Sequence, residues 1–191
     1  MIASILERFG VARRNAAAGG PRGGMSSFPN VSLKTHRNEA VRFYDDVLRG
    51  KVVVMSFMYT RCTSTCPPTI ASLRRLQRAL GARAGRDVFL YSITLDPAYD
   101  TPDVLNGYAR TVEAGPAWQF LTGTVEDIEL LRRKLGFVNP DAALDADRSQ
   151  HAGLLLFGNE PADRWAACPA PFSTDRLVKL LGRVSGARPR V

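Results

Sequence analysis

The sequence predicts an α/β domain with a mixed central sheet flanked by helices on both faces. Three observations carry this. Lys51–Tyr59 (KVVVMSFMY) and Val88–Leu95 (VFLYSITL) are near-continuous apolar runs, as expected of strands buried on both faces. A segment with helical spacing of apolar residues follows each run. Two short apolar segments then flank the turn residues Asn159, Glu160 and Pro161, which reads as a late hairpin and makes the sheet mixed at one end.

The elements follow in order. Residues 1–27 read as a flexible tail or an atypical targeting segment, because Ala16–Gly24 is rich in Ala and Gly and carries Pro21. The folded part is expected over 28–186, with 187–191 as a C-terminal tail. Lys51–Tyr59 is the central strand. The spacing of Ile70, Leu73, Leu76 and Leu80 predicts a helix over Thr69–Leu80. Pro67 and Pro68 suit its first turn, where a missing N–H costs nothing, and Gly81 ends it. Val88–Leu95 is the next strand. Thr101 and Pro102 open a helix to Val112 as cap and first residue. Trp118–Leu121 is a short strand, and Thr124 caps a helix carrying Ile128, Leu131 and Leu135. Ala152–Phe157 and Arg164–Ala167 form the hairpin, and Ser173 caps a terminal helix to Leu181. A thioredoxin-like architecture fits this order.

Composition narrows the function classes. The 191 residues are 45% hydrophobic with a formal charge of +8, so any special chemistry must rest on specific residues. The basic residues are mostly arginines dispersed along the chain, not one stripe interleaved with aromatics, which argues against a nucleic-acid partner. A solvated basic surface, or docking onto an acidic partner or anionic membrane, fits better. No stretch is long enough to span a bilayer as a helix, and the first residues show no clear export signal. Three cysteines are too few, and an odd count, for a disulfide-stapled fold.

Two of those cysteines carry the chemical signal. Cys62 and Cys66, in TRCTSTCPP, lie between the central strand and the mouth of a helix. A helix N-terminus presents unpaired N–H groups and partial positive charge, both of which favour thiolate over thiol. A spacing of four puts both sulfurs on one side of the turn. They are placed to clamp a soft ion, or to join as a disulfide if the loop adjusts. The loop is one residue wider than the C-x-x-C of redox proteins, which suits a metal held between separate sulfurs. Thiolates favour Cu(I), and imidazole accepts copper in either oxidation state. Two sulfurs also suit zinc, but a closed zinc site needs four protein ligands.

Further donors are few. His151 stands immediately before an apolar strand, so it emerges at a sheet edge where sites collect; from local sequence alone it reads either as a ligand or as a structural or simply exposed histidine. His36, in LKTHRNE, reads as a surface residue. Asp96 ends the second strand and is expected near the thiols, either tuning the ligands or serving the turn. Asp100, Thr101 and Pro102 read as helix capping. Arg61 either supports thiolate character or is solvated. Cys168 reads as a buried, inert thiol, and Met55 and Met58 as core.

The stretches YTRCTSTCPP (59–68), SITLDPAYDTP (92–102), WQFLTG (118–123) and His151 before LLLF resemble the Sco/SenC family of copper chaperones. The opening FPNVSLKTHRNEAVRFYDD (28–46) resembles the family's first strands. The resemblance implies a thioredoxin-like fold that binds one copper ion per monomer through Cys62, Cys66 and His151, as Cu(I) or Cu(II). The function it implies is delivery of copper to the CuA centre of cytochrome c oxidase or a related copper enzyme, or reduction of that enzyme's cysteines. The expected partners are the copper-centre subunit of a terminal oxidase and a thiol reductase or copper donor. A periplasmic or membrane-associated location is implied as well. The alternative is a thiol–disulfide oxidoreductase that uses Cys62 and Cys66 as a redox pair without metal.

Overall fold

The computed structural model of the chain describes residues 28–139, 141–147, 153–169 and 173–186. The expected tails at 1–27 and 187–191, and His151, lie outside these residues. The described strands are β1 (Ser32–Thr35), β2 (Ala40–Arg42), β3 (Val52–Met58), β4 (Phe89–Thr94), β5 (Trp118–Thr122), β6 (Leu154–Asn159) and β7 (Arg164–Pro169). The helices are α1 (Cys66–Leu80), α2 (Pro102–Thr111), α3 (Val125–Lys134), α4 (Ala142–Ala146) and α5 (Thr174–Ser185). A wide helical turn, Phe43–Leu48, links β2 to β3.

The strands form one sheet in the order β2-β1-β5-β4-β3-β6-β7. The central three are parallel, with Met55 beside Tyr91 and Ser92 beside Phe120. β6 runs antiparallel to β3, and β7 antiparallel to β6. The expected mixed sheet, with its late hairpin, is therefore present.

β3 shows why its sequence is apolar throughout. Val53, Met55 and Phe57 face a core built with Phe43, Leu121, Ile128 and Leu131, under α3 and the Phe43–Leu48 turn. Val54 and Met58 face a second core made with Leu73, Leu76, Leu105, Leu177 and Leu181, under α1, α2 and α5. Alternating side chains thus bury both faces. Ser56 is the polar exception on β3. It is wholly buried, and its hydroxyl meets the Ser92 hydroxyl at 3.0 Å, which also accepts from the Trp118 indole N–H at 3.0 Å. The two hydroxyls and the indole satisfy one another, so burying them costs little.

Helix ends follow local chemistry. Thr101 accepts from the Val104 N–H at 3.4 Å and Thr124 from the Asp127 N–H at 3.1 Å, as N-caps do. Gly81 stops α1 at φ +52°, a backbone angle that side chains with a Cβ disfavour. Ser173 precedes α5 but makes no side-chain cap bond.

His36 corrects the surface reading. It is only 7% exposed. Its backbone N–H donates to the Phe120 carbonyl at 2.8 Å, and its Nδ1 accepts from the Phe120 N–H at 3.2 Å. The ring thus continues the β1–β5 ladder by one rung, a long-range pairing that the polar local sequence hides. Burial, then the neighbouring Arg37 charge, lower its pKa from 6.5.

Candidate metal centre

The parallel arrangement of β3, β4 and β5 brings their C-terminal ends to one edge of the sheet, where such folds place their sites. Cys62 lies in the loop leaving β3, and Cys66 is the first residue of α1. The first N–H groups of a helix have no intrahelical partner. Here one of them is used by the site: the Cys66 N–H donates to the Cys62 sulfur at 3.3 Å. The Thr65 and Ser64 hydroxyls lie 3.7 and 3.9 Å from that sulfur. Both cysteines are free thiols, 8% and 1% exposed.

The two thiols are driven apart electrostatically. Burial is the largest single influence on Cys62 and opposes its ionisation. Hydrogen bonds from the Cys66 thiol, the Cys66 and Ser64 N–H groups and the Thr65 hydroxyl outweigh it and lower the pKa to about 6. Cys66 moves the other way, to about 12, through deeper burial and its own hydrogen bond to Cys62. At neutral pH the pair is one thiolate and one thiol sharing a proton: a nucleophile and soft donor with its proton store alongside.

Two further residues, neither of them expected at the site from sequence, complete it. Tyr59 leaves the end of β3, and its hydroxyl donates to Cys62; that bond, aided by burial, raises the phenol to about 12. Its only sequence signal is its place just after the strand, three residues before Cys62. The second is Asp100, read from sequence as part of a cap. It is fully buried and accepts from the Thr60 N–H at 3.1 Å, the Thr60 hydroxyl, and the Thr94 hydroxyl at 2.5 Å. This carboxylate fastens the thiol loop to the end of β4.

Asp96 is brought to the same edge, 5% exposed. Arg61 donates to it at 2.6 Å and stacks 4.0 Å from the Tyr99 ring centroid. Cys168 is buried in β7 opposite Leu155, and burial pushes its thiol up to about 12, which agrees with an inert thiol. Met55 and Met58 are wholly buried, as expected of core. Among the described residues no group of three or more His, Cys, Asp or Glu side chains is arranged to hold a metal; His151 lies outside them. The described part of β6 starts at Leu154, and Leu155 pairs with Ser56 near the end of β3. β6 therefore begins at the edge where β3 leaves for the cysteines.

Fold and dithiol together define a thioredoxin-like protein with a cysteine pair at the mouth of α1. The chain belongs to the SCO1/SenC family, whose sequence profile matches residues 29–161. It is 32% identical over 161 residues to a candidate copper-binding protein of Stutzerimonas stutzeri, an alignment covering 83% of this chain and 76% of the relative. The fold is that of a SCO1/SenC family lipoprotein from Bacillus anthracis, with TM-score 0.67, 21% identity, and 83% and 95% of the two chains covered. It is also that of yeast Sco1 with copper bound, with TM-score 0.65, 21% identity, and 90% and 98% covered. No helix among the described residues is long and apolar enough to cross a membrane.

Proposed function

We propose that this protein is a copper chaperone that holds one copper ion as cargo through Cys62, Cys66 and His151. Its role would be to deliver that ion to, or prepare the thiols of, the CuA centre of cytochrome c oxidase or a related copper enzyme. The observation that carries the reading is the Cys62 sulfur, which accepts from the first N–H of α1 at 3.3 Å with Cys66 beside it; its lowered pKa favours the thiolate. Membership of the SCO1/SenC family supports the copper assignment, as does the copper-bound yeast relative of the same fold. Thiolates are soft ligands and suit Cu(I). Cys66 must lose its proton to become the second sulfur donor, so loading releases protons.

His151 is proposed as the third ligand because it stands three residues before Leu154, where β6 begins at the thiol edge. Asp96 and Arg61 are proposed as a pair that steadies the loop beside the sulfurs. A periplasmic or membrane-associated location is proposed on family grounds, with the lipoprotein relative as support.

Metal analysis and visible spectroscopy on anaerobically reduced protein test the reading. Wild type is expected to hold about one copper and, with Cu(II), to show a thiolate-to-copper charge-transfer band. Cys62→Ser and His151→Ala are expected to lose both. Copper retained by all three proteins would defeat the assignment. Disulfide reduction surviving in His151→Ala, with no copper bound by wild type, would instead favour a metal-free oxidoreductase.

A further inference from the structure

Arg61 adjoins Cys62 in sequence, and its guanidinium is held by the neighbouring loop. One of its N–H groups donates to Asp96 at 2.6 Å, and the group stacks on Tyr99 at 4.0 Å. Asp96 is buried, yet the Arg61 side chain is 58% exposed. A guanidinium carries five N–H donors in a rigid fork, so the bond to Asp96 leaves donors facing solvent. The carboxylate and the ring fix the side chain in advance, which lowers the ordering cost that a surface arginine meets on binding. Tyr99 is itself 46% exposed. Arginine and tyrosine are the residue types on which interface energy concentrates.

Beside this pair lies a cleft of about 650 Å³. Asp96 and Ala98 line one side; Val125 and Arg133 of α3 and Ala142 of α4 line the other. Val125 is 58% exposed. The carboxylates of Glu129 and Asp145 within the cleft are both paired with the buried Arg132. A preorganised cation thus stands beside a cleft of mixed lining, whose apolar part is formed by Ala98, Val125, Ile128 and Ala142.

We propose that Arg61, Tyr99 and this cleft are the docking surface for an acidic segment of the partner protein. One of its carboxylates would sit on the Arg61 fork, and an adjacent apolar side chain would enter the cleft against Ala98 and Val125. The formal charge of +8 favours an acidic partner by steering and disfavours a basic one. The proposal rests on the chaperone reading only in taking that partner to be the copper recipient.

The test is an NMR titration of the ¹⁵N-labelled, reduced, metal-free full chain with two synthetic peptides. One places Glu beside Leu; the other has Lys in place of Glu. The acidic peptide is expected to give saturable shifts at Arg61, Ala98, Tyr99 and Val125. Arg61→Gln should weaken it by about ten-fold or more, Arg61→Lys should weaken it less, and salt at about 0.5 M should suppress it. The amide spectrum of each variant reports its fold. Four results would overturn the proposal: equal binding by Arg61→Gln, equal binding of the Lys peptide, shifts confined to the Arg74–Arg78 face, or self-association through Tyr99 and Val125. No copper is present, so failure of the copper reading leaves this result standing, and failure here leaves the copper result standing.

Discussion

At the scale of single residues, the site depends on where one proton sits. Cys62 is expected to react with iodoacetamide at a rate that rises through about pH 6 in reduced, metal-free protein. Cys66 should stay unreactive until far higher pH. Tyr59→Phe removes a donor to the thiolate, so the Cys62 profile should move upward by about one pH unit. A profile unchanged in Tyr59→Phe would remove Tyr59 from the site. His36 gives a second residue-level test. Its folded pKa lies below the ordinary 6.5, so folding favours the neutral ring. Its stabilising contribution is full above 6.5 and is lost as pH falls through the folded value. Urea midpoints should therefore drop as the pH is lowered below about 6.5. His36→Leu orphans the Phe120 N–H, lowers stability by about 1–3 kcal/mol, and flattens that drop.

At the scale of elements, the thiol loop is held by groups distant in sequence. Asp100, from the turn before α2, receives three hydrogen bonds from Thr60 and Thr94. Asp100→Ala strands those donors in the interior and should cost about 3 kcal/mol. It should also broaden the pH profile of Cys62 alkylation, because the loop loses its fastening; denaturant melts and alkylation kinetics read the two effects separately. The β6–β7 hairpin has its own constraint. A Cβ on Gly158 would run into the Trp165 ring, so Gly158→Ala must displace the indole. About 1–3 kcal/mol of destabilisation is expected from such overpacking, measurable by thermal unfolding.

At the scale of the whole molecule, cargo and fold stabilise one another. Copper bound by the folded state alone should add about 2.7 kcal/mol at a free concentration one hundred times Kd. For a domain of this size that is a rise in Tm of about 5–10 °C. Anaerobic melts with Cu(I) should show it in wild type and lose most of it in Cys66→Ser. An equal rise in both proteins would place the copper elsewhere.

The sequence by itself determined much of this protein. The apolar run of β3, the caps Thr101 and Thr124, the stop at Gly81 and the pairing of two cysteines with a helix mouth are all local signals. Their physics acts over a turn or two of chain, so it can be read from neighbouring letters. Tertiary structure decided the rest. Thr60 and Asp100 meet across 40 positions, and the His36 ring takes a backbone partner 84 positions away. The short β1–β2 hairpin joins the sheet by the pairing of β1 with β5, more than 80 positions further along the chain. Hydrogen bonds between distant segments follow from which strands lie side by side, and no local periodicity records that.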